Sequence, residues 1–409
     1  MTFSEDDMPS TNLHTLRQFE PHQLQEVVRE ATGQGTLQVT DFTVAVLSEQ
    51  GVTSQDSLFL VQGHARTGKT REPWALVVKS FSRPEAHADP SDLLFLHREV
   101  EAYRSGLLTP LAAHLRAPRV YAVTEQGDQV WLWLEHVQET AGRVWTLGGY
   151  THAAQQLGVW NGGYLTGRPL PEAPWLLRDL ARQWSTMFGL ASGKPSAQGS
   201  VFRPDLSARI ERAWEGREVF LDMLRRLPQV FSHFDFHRRN LLRQGDDVIA
   251  LDWAWCGLGP VGGDLVALIG STCMFGEWDV RQIGALDSAV FGAYVAGLRQ
   301  AGWPGDARLA RLGYAAWMPL HFGVVAPRLV EFWTSEERQA RAVTLFGTSP
   351  AELTARWSAL CEWSLDRGDE AMALWSDLGR EGATSPRTVP PVRRPTSEPT
   401  ARSVEGGKT

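Results

Sequence analysis

The sequence predicts an α+β chain in which a sheet-rich first part precedes a larger helical part. Three observations predict it. Strand-like apolar runs cluster before residue 138. Helical apolar spacing dominates from about residue 150. Between them in character, 231–264 reads as a short hairpin with Asp and Asn side chains at its ends.

Composition bounds the class before any motif does. A length of 409 residues fits one bilobal enzyme, or two to three domains. Hydrophobic content of 43% and charged content of 21% are ordinary for a globular protein. The net charge of -7 gives no ground for a nucleic-acid partner and is compatible with a cationic substrate. The 17 tryptophans are expected to fill the core. Cys256, Cys273 and Cys361 have neither metal-ligand spacing nor a disulfide framework, which fits a reducing cytoplasm. The start, MTFSEDDMPS, is acidic and does not read as a signal peptide. No run of about 18 apolar residues exists, so no membrane span is expected.

The elements follow in order. A short helix is expected over 20–32, with Pro21 near its start and Gly33 after it. Strands are expected over 39–47, 57–64 and 74–81. Lys79 lies inside the third of them; a Lys there either points to solvent or needs an anionic partner. A helix is expected over 91–107, carrying Glu99 and Glu101 on different faces. Strands over 119–124 and 129–135 run into Glu135-His136-Val137-Gln138. Helices are then expected over 151–160, 175–190, 205–227, 279–301, 306–332 and 349–378. The divisions are a 1–35 extension, a 36–138 first lobe, a 139–380 helical lobe and a 381–409 tail. The tail is rich in Pro, Ser, Thr and Arg and is expected to be disordered.

One motif misleads. Gly63-His64-Ala65-Arg66-Thr67-Gly68-Lys69-Thr70 fits the phosphate-binding pattern G-x-x-x-x-G-K-T. That pattern needs a helix directly after Lys-Thr, because the helix N-terminus holds the phosphate. Arg71-Glu72-Pro73 and a strand follow instead, so 65–73 reads as a hairpin turn.

The chemistry concentrates in FSHFDFHRRNLLRQGDDVIALDWAWCGLGPVGGD, residues 231–264. A hairpin with its turn at 244–247 brings Asn240, at the start of one strand, beside Asp252, at the end of the other. Asp235 precedes Asn240 by five residues and His233 leads the group. Two oxygen donors suit Mg²⁺, and a separate carboxylate suits a hydroxyl that must lose its proton.

The pattern H-x-D-x-x-x-x-N with a later Asp at a hairpin end resembles the catalytic loop of the protein-kinase-like fold. It is most similar to the aminoglycoside phosphotransferase and choline kinase group, with Asp252-Trp253 and Gly262-Gly263-Asp264-Leu265 following. The residues His237-Arg238-Arg239 depart from the Pro or Gly of many relatives.

The resemblance implies a bilobal fold: a small antiparallel-sheet N-lobe with one main helix, and a larger, mostly helical C-lobe. It implies ATP (or GTP) as co-substrate, Mg²⁺ as cofactor, and a small-molecule hydroxyl acceptor. Asp235 is then the catalytic base, and Asn240 and Asp252 hold the metal. Lys79 holds the nucleotide phosphates, with Glu99 positioning it. Gly51, Thr53 and Ser54 belong to a phosphate-covering loop. The backbone of Glu135 and Val137 faces the adenine. His233 and Asp264 support the loop. Arg238 and Arg239 read as solvated surface residues, with phosphate contact as the alternative; Glu331, Glu336 and Glu337 read as a solvated helix face, with contact to a cationic substrate as the alternative. An aminoglycoside, an amino alcohol, a sugar and a homoserine-like metabolite all remain open as acceptors. A non-catalytic nucleotide-binding or regulatory protein is the alternative; loss of Lys79, Asp235, Asn240 or Asp252 would mark it, and all four are present.

Overall fold

A computed structural model describes residues 9–48, 57–84, 87–109, 111–140, 142, 144–188 and 202–381. In chain order the first lobe holds α1 (Pro9–Arg17), α2 (Gln25–Thr32), β1 (Gln38–Ser48), β2 (Ser57–Thr67), β3 (Thr70–Ser82) and α3 (Arg98–Arg104). Then come β4 (Leu115–Arg116), β5 (Val120–Gln126) and β6 (Gln129–Glu135). The five long strands form one antiparallel sheet in the order β1-β2-β3-β6-β5.

Alternation along β3 gives this sheet two different faces. Trp74, Leu76 and Val78 pack with Leu16, Leu24 and Val28 from the N-terminal helices. Each Leu or Val buried there contributes about 1.5–3 kcal/mol. Val77, Lys79 and Phe81 point the other way, toward α3 and the second lobe. Lys79 is therefore on the inner face and not on the solvent side. The 57–67 and 70–82 strands run up to a two-residue turn at Gly68-Lys69. The G-x-x-x-x-G-K-T match is thus a hairpin, with longer strands than the sequence suggested.

The second lobe begins with α4 (Leu147–Leu165), β7 (Leu177–Arg178), α5 (Leu180–Phe188), α6 (Pro204–Glu215) and α7 (Arg217–Arg226). Next are β8 (Gln229–Ser232), β9 (Leu241–Gln244), β10 (Asp247–Ala250), β11 (Gly257–Pro260) and α8 (Thr272–Met274). The lobe ends with α9 (Ile283–Gln300), α10 (Ala307–Met318), α11 (Ala326–Thr334), α12 (Gln339–Phe346) and α13 (Pro350–Arg380). Two small sheets, β4-β10-β9 and β7-β11-β8, flank the catalytic segment. The tail from 382 and the loop 49–56 lie outside the described residues, and so do Gly51, Thr53 and Ser54.

The helix expected over 91–107 is shorter: only Arg98–Arg104 is helical. Carboxylates capture the backbone ahead of it. Ser91 N–H donates to Asp89 Oδ1 and Leu94 N–H to Asp92 Oδ1. The Asp92 and Leu93 carbonyls accept from the Arg98 guanidinium and so are drawn away from helical bonding.

Other boundaries moved for similar local reasons. The 205–227 span breaks at Gly216. The 306–332 span is interrupted by a π-type turn, Pro319–Gly323. Asp179, with φ +57, separates β7 from α5 inside the expected 175–190 helix. Two-residue strands such as β4 and β7 are too short to leave a periodic signal.

The helical lobe is centred on the crossing of α4 and α9. A Cβ on Gly297 would sit 2.1 Å from the Gln155 carbonyl oxygen, and one on Gly158 would sit 2.2 Å from that of Tyr294. The backbones touch, and the Tyr294 hydroxyl donates to Asn161 Oδ1 at 2.8 Å across the same contact. Gly297→Ala is expected to cost about 3 kcal/mol by forcing the helices apart. Urea unfolding would read this as a lower midpoint, and an unchanged midpoint would show that the crossing yields freely.

Candidate active site

Strand β8 ends at Ser232 and delivers His233 into the interior. The backbone N–H of Asp235 donates to His233 Nδ1 at 3.2 Å. That leaves the Nε2 proton for the Leu251 carbonyl, 2.8 Å away. Burial lowers the His233 pKa against the pull of Asp235 and the Leu251 carbonyl, so the neutral ring is favoured. The ring thus ties the loop at Asp235 to the strand end before Asp252.

Phe234 has φ +65, unusual for an aromatic residue. The Asp264 carboxylate holds it there, accepting from Phe234 N–H at 2.6 Å and from His233 N–H at 3.4 Å. Burial pushes the Asp264 carboxyl up to about 7, against those two N–H donors.

The side chain of Asp235 is 30% exposed. Its Oδ2 accepts from the Asn240 amide at 2.7 Å, and its Oδ1 lies 3.2 Å from His237 Nε2. Arg239 N–H donates to His237 Nδ1 at 3.2 Å, so the His237 Nε2 proton faces the carboxylate. Burial would raise the Asp235 pKa. The hydrogen bond from His237 Nε2 outweighs it, helped by the Asn240 amide, and holds the carboxyl at about 2. Asp235 is therefore an ionised, firmly oriented group.

The β9–β10 hairpin turns at Gly245-Asp246, with Gly245 at φ +60. Leu251 N–H donates to the Asn240 carbonyl at 2.8 Å, closing the open end of the hairpin. Asp252 follows at once, with φ +58, a conformation that Asp tolerates better than most residues. Its Oδ1 lies 3.2 Å from Lys79 Nζ, and Lys79 Nζ lies 2.5 Å from Glu99 Oε2. The Glu99 side chain is 2% exposed and that of Lys79 14%, whereas that of Asp252 is 41% exposed. The cluster opens toward solvent at Asp252.

Asn240 spends its amide N–H groups on Asp235, and its Oδ1 accepts no hydrogen bond among the described residues. One free amide oxygen and one exposed carboxylate are hard donors of the kind Mg²⁺ takes, with phosphates and water completing its shell.

The other expected positions distribute as follows. Glu135 ends β6; its carboxylate is tied to Arg116 at 2.6 Å, and its N–H donates to the Arg119 carbonyl at 2.8 Å. Val137 lies just beyond the strand, where its backbone makes no hydrogen bond among the described residues. Arg238 is not a surface residue: it is 6% exposed and binds the Leu241 carbonyl and Glu139. Arg239 is exposed and pairs with Glu277 at 3.1 Å. Glu331, Glu336 and Glu337 are on exposed faces.

Two contributors were missed in sequence. His237 reads from sequence as a structural residue or one near the active site, and its position two residues after Asp235 was a usable signal. Arg98 carried no signal, because its partners lie far away in the chain.

Comparison with known proteins identifies a family and a fold. The family model described as "Phosphotransferase enzyme family" (APH) matches residues 64–309, more than half of the chain. No curated protein matches. Among solved structures, an amicoumacin kinase in complex with AMP-PNP and Ca²⁺ is 12% identical, with a TM-score of 0.50 over 87% of this chain and 96% of that one. That likeness shows a shared kinase-like fold. Choline kinase from Cryptosporidium parvum Iowa II is 12% identical, with a TM-score of 0.43 over 84% of this chain and 92% of that one. The aminoglycoside phosphotransferase APH(2'')-Ib is 14% identical, with a TM-score of 0.42 over 82% and 98%. No helix among the described residues is long and apolar enough to cross a membrane. The chain belongs to the phosphotransferase enzyme family and has a bilobal, kinase-like α+β fold.

Proposed function

We propose that the chain transfers the γ-phosphate of ATP, or GTP, to a hydroxyl of a small molecule. The carrying observation is two groups of contacts brought together at one hairpin end. Glu99, Lys79 and Asp252 form a line at the lobe junction, and Asp235 and Asn240 sit at the same open end of the short hairpin that Asp252 follows. Lys79 binds the nucleotide phosphates and Glu99 fixes its ammonium. Asp252 and Asn240 hold Mg²⁺, which when bound neutralises phosphate charge. The backbone of Glu135 and Val137 meets the adenine. Asp235 orients the acceptor hydroxyl and takes its proton as the bond from that oxygen to the γ-phosphorus forms and the bond to the departing nucleoside diphosphate breaks. A carboxyl held at about 2 is a weak base, so positioning and electrostatics carry most of the rate. The AMP-PNP and Ca²⁺ of the amicoumacin kinase accord with a nucleotide and a hard cation here.

A thermal-shift titration with Mg-ATP and Mg-GTP tests the nucleotide site, since a ligand bound only by the folded state raises its stability. Stabilisation that requires Mg²⁺ is expected. ADP release across a panel of aminoglycosides, amino alcohols and sugars then identifies the acceptor. No shift with either nucleotide would return the non-catalytic alternative.

The pH profile is a second check. Asp235 must be ionised to act, and its depressed pKa keeps it so at every pH well above 2. Its contribution to kcat/KM is lost only as pH falls through that value. Between about pH 5 and about pH 8, kcat/KM should therefore show no acid limb from this carboxylate. An acid limb near neutrality that disappears in His237→Gln would shift control to the imidazole.

A further inference from the structure

Helix α3 is tied to the second lobe by one buried guanidinium. Arg98 is 1% exposed. Its Nε donates to the Trp175 carbonyl at 2.7 Å. One terminal nitrogen donates to the Ala254 carbonyl at 2.8 Å and to that of Leu93 at 3.4 Å; the other donates to that of Asp92 at 2.5 Å. Asp92 and Leu93 lead into α3, whereas Trp175 and Ala254 belong to the helical lobe. Among the described residues Arg98 forms no ion pair; its charge is met by carbonyl dipoles. A buried cation without a carboxylate is a costly way to fill space, and an apolar side chain would fill it at lower cost.

The positions of its neighbours give the arrangement meaning. Glu99 is the next residue, and it grips Lys79. Ala254 is two residues after Asp252, which touches Lys79 from the other side. Two routes therefore join α3 to the segment after β10. One runs Glu99–Lys79–Asp252 through side chains that meet the nucleotide, and the other runs Arg98–Ala254 through none that do. Together they close a ring. With the second route cut, the polar connection between α3 and the 252–254 segment runs through the first, whose end at Asp252 is exposed.

We propose that Arg98 is a positioning residue that sets the distance between Glu99 and Asp252, so that the Lys79 ammonium and the metal-binding carboxylate stand in register for the nucleotide phosphates before it arrives. The inference rests on the phosphotransferase reading and adds a residue that touches neither nucleotide nor acceptor.

A double-mutant cycle tests it: Arg98→Met, Glu99→Gln and both together, in the full-length chain. The readouts are the Mg-ATP thermal shift and the rate of ATP hydrolysis to water, taken well below every melting temperature. Arg98→Met should weaken Mg-ATP binding and slow hydrolysis by about tenfold to about a hundredfold, because small misplacements of reacting groups carry losses of that size. If Arg98 acts through Glu99, the double variant should lose little more than Glu99→Gln alone. A merely structural Arg98 would lower the melting temperature and leave both readouts unchanged, or give losses that multiply with those of Glu99→Gln. Either result overturns the proposal. Should Arg98→Met fail to fold, Arg98→Lys, which keeps the charge and loses the fork, enters the same cycle and is judged by the same outcomes. A wild-type chain that ignores Mg-ATP would overturn the nucleotide reading and this inference with it. Independent losses in a chain that does respond overturn this inference alone.

Discussion

Asp235→Asn is expected to reduce phosphoryl transfer by about 10²- to 10⁴-fold while leaving Mg-ATP binding largely intact. The carboxylate sits among donors: the Asn240 amide at 2.7 Å and His237 Nε2 at 3.2 Å. In the proposed reaction Lys79 and Asp252, not this carboxylate, face the nucleotide. An amide at this position cannot take a proton from the acceptor, and its NH₂ would face one of those two donors. The loss should therefore fall on kcat, with a small stability cost. ADP formation with the identified acceptor measures the first effect, and the Mg-ATP thermal shift measures the second. Turnover near wild type would remove Asp235 from the base position. Loss of nucleotide binding as well would mean that the loop as a whole had collapsed.

The second large effect is expected from Asp252. Its side chain supplies the one carboxylate of the Asn240–Asp252 pair, and it is also the second partner of Lys79. The substitution of choice is Asp252→Asn, because the residue has φ +58 and Asn tolerates that conformation at little cost. Asp252→Ala adds backbone strain of about 1–2 kcal/mol, which would confuse the reading. In wild type, nucleotide at a hundredfold excess over its Kd should stabilise the fold by about 2.7 kcal/mol. In Asp252→Asn the Mg²⁺-dependent part should vanish, and turnover should fall with it. A shift that stays fully Mg²⁺-dependent would place the metal on other groups.

The positions of the candidate site residues were legible in the sequence where the contacts are local. His233, Asp235, Asn240 and Asp252 lie within 20 consecutive residues. A turn of the Gly-Asp kind then folds the strand ends together, and the pairing Ala250↔Leu241 follows from its length. From strand pattern alone Lys79 was legible only as a question, and the resemblance supplied its pairing with Glu99, because alternation in a strand says that a residue faces one side without saying what covers that side. The packing of α1 and α2 against Leu76 and Val78 decided it, by making the opposite face the inner one. Helix α1 itself was invisible: a nine-residue stretch whose inward contacts include Leu16 and Asn12 has little apolar pattern.

The sequence alone thus determined the kinase-like class, the grouping of Asp235, Asn240 and Asp252 and the rejection of the Gly63–Thr70 match. Each depends on residue type and short spacing, which a chain carries before it folds. Only the tertiary structure decided that α3 starts at Arg98, that Arg238 is buried, that His237 faces Asp235, and that a guanidinium joins the lobes. Those outcomes depend on which distant carbonyl or carboxylate happens to lie within hydrogen-bonding distance. A buried charge settles where its partners converge, and Asp92, Trp175 and Ala254 converge on Arg98 only once both lobes are in place.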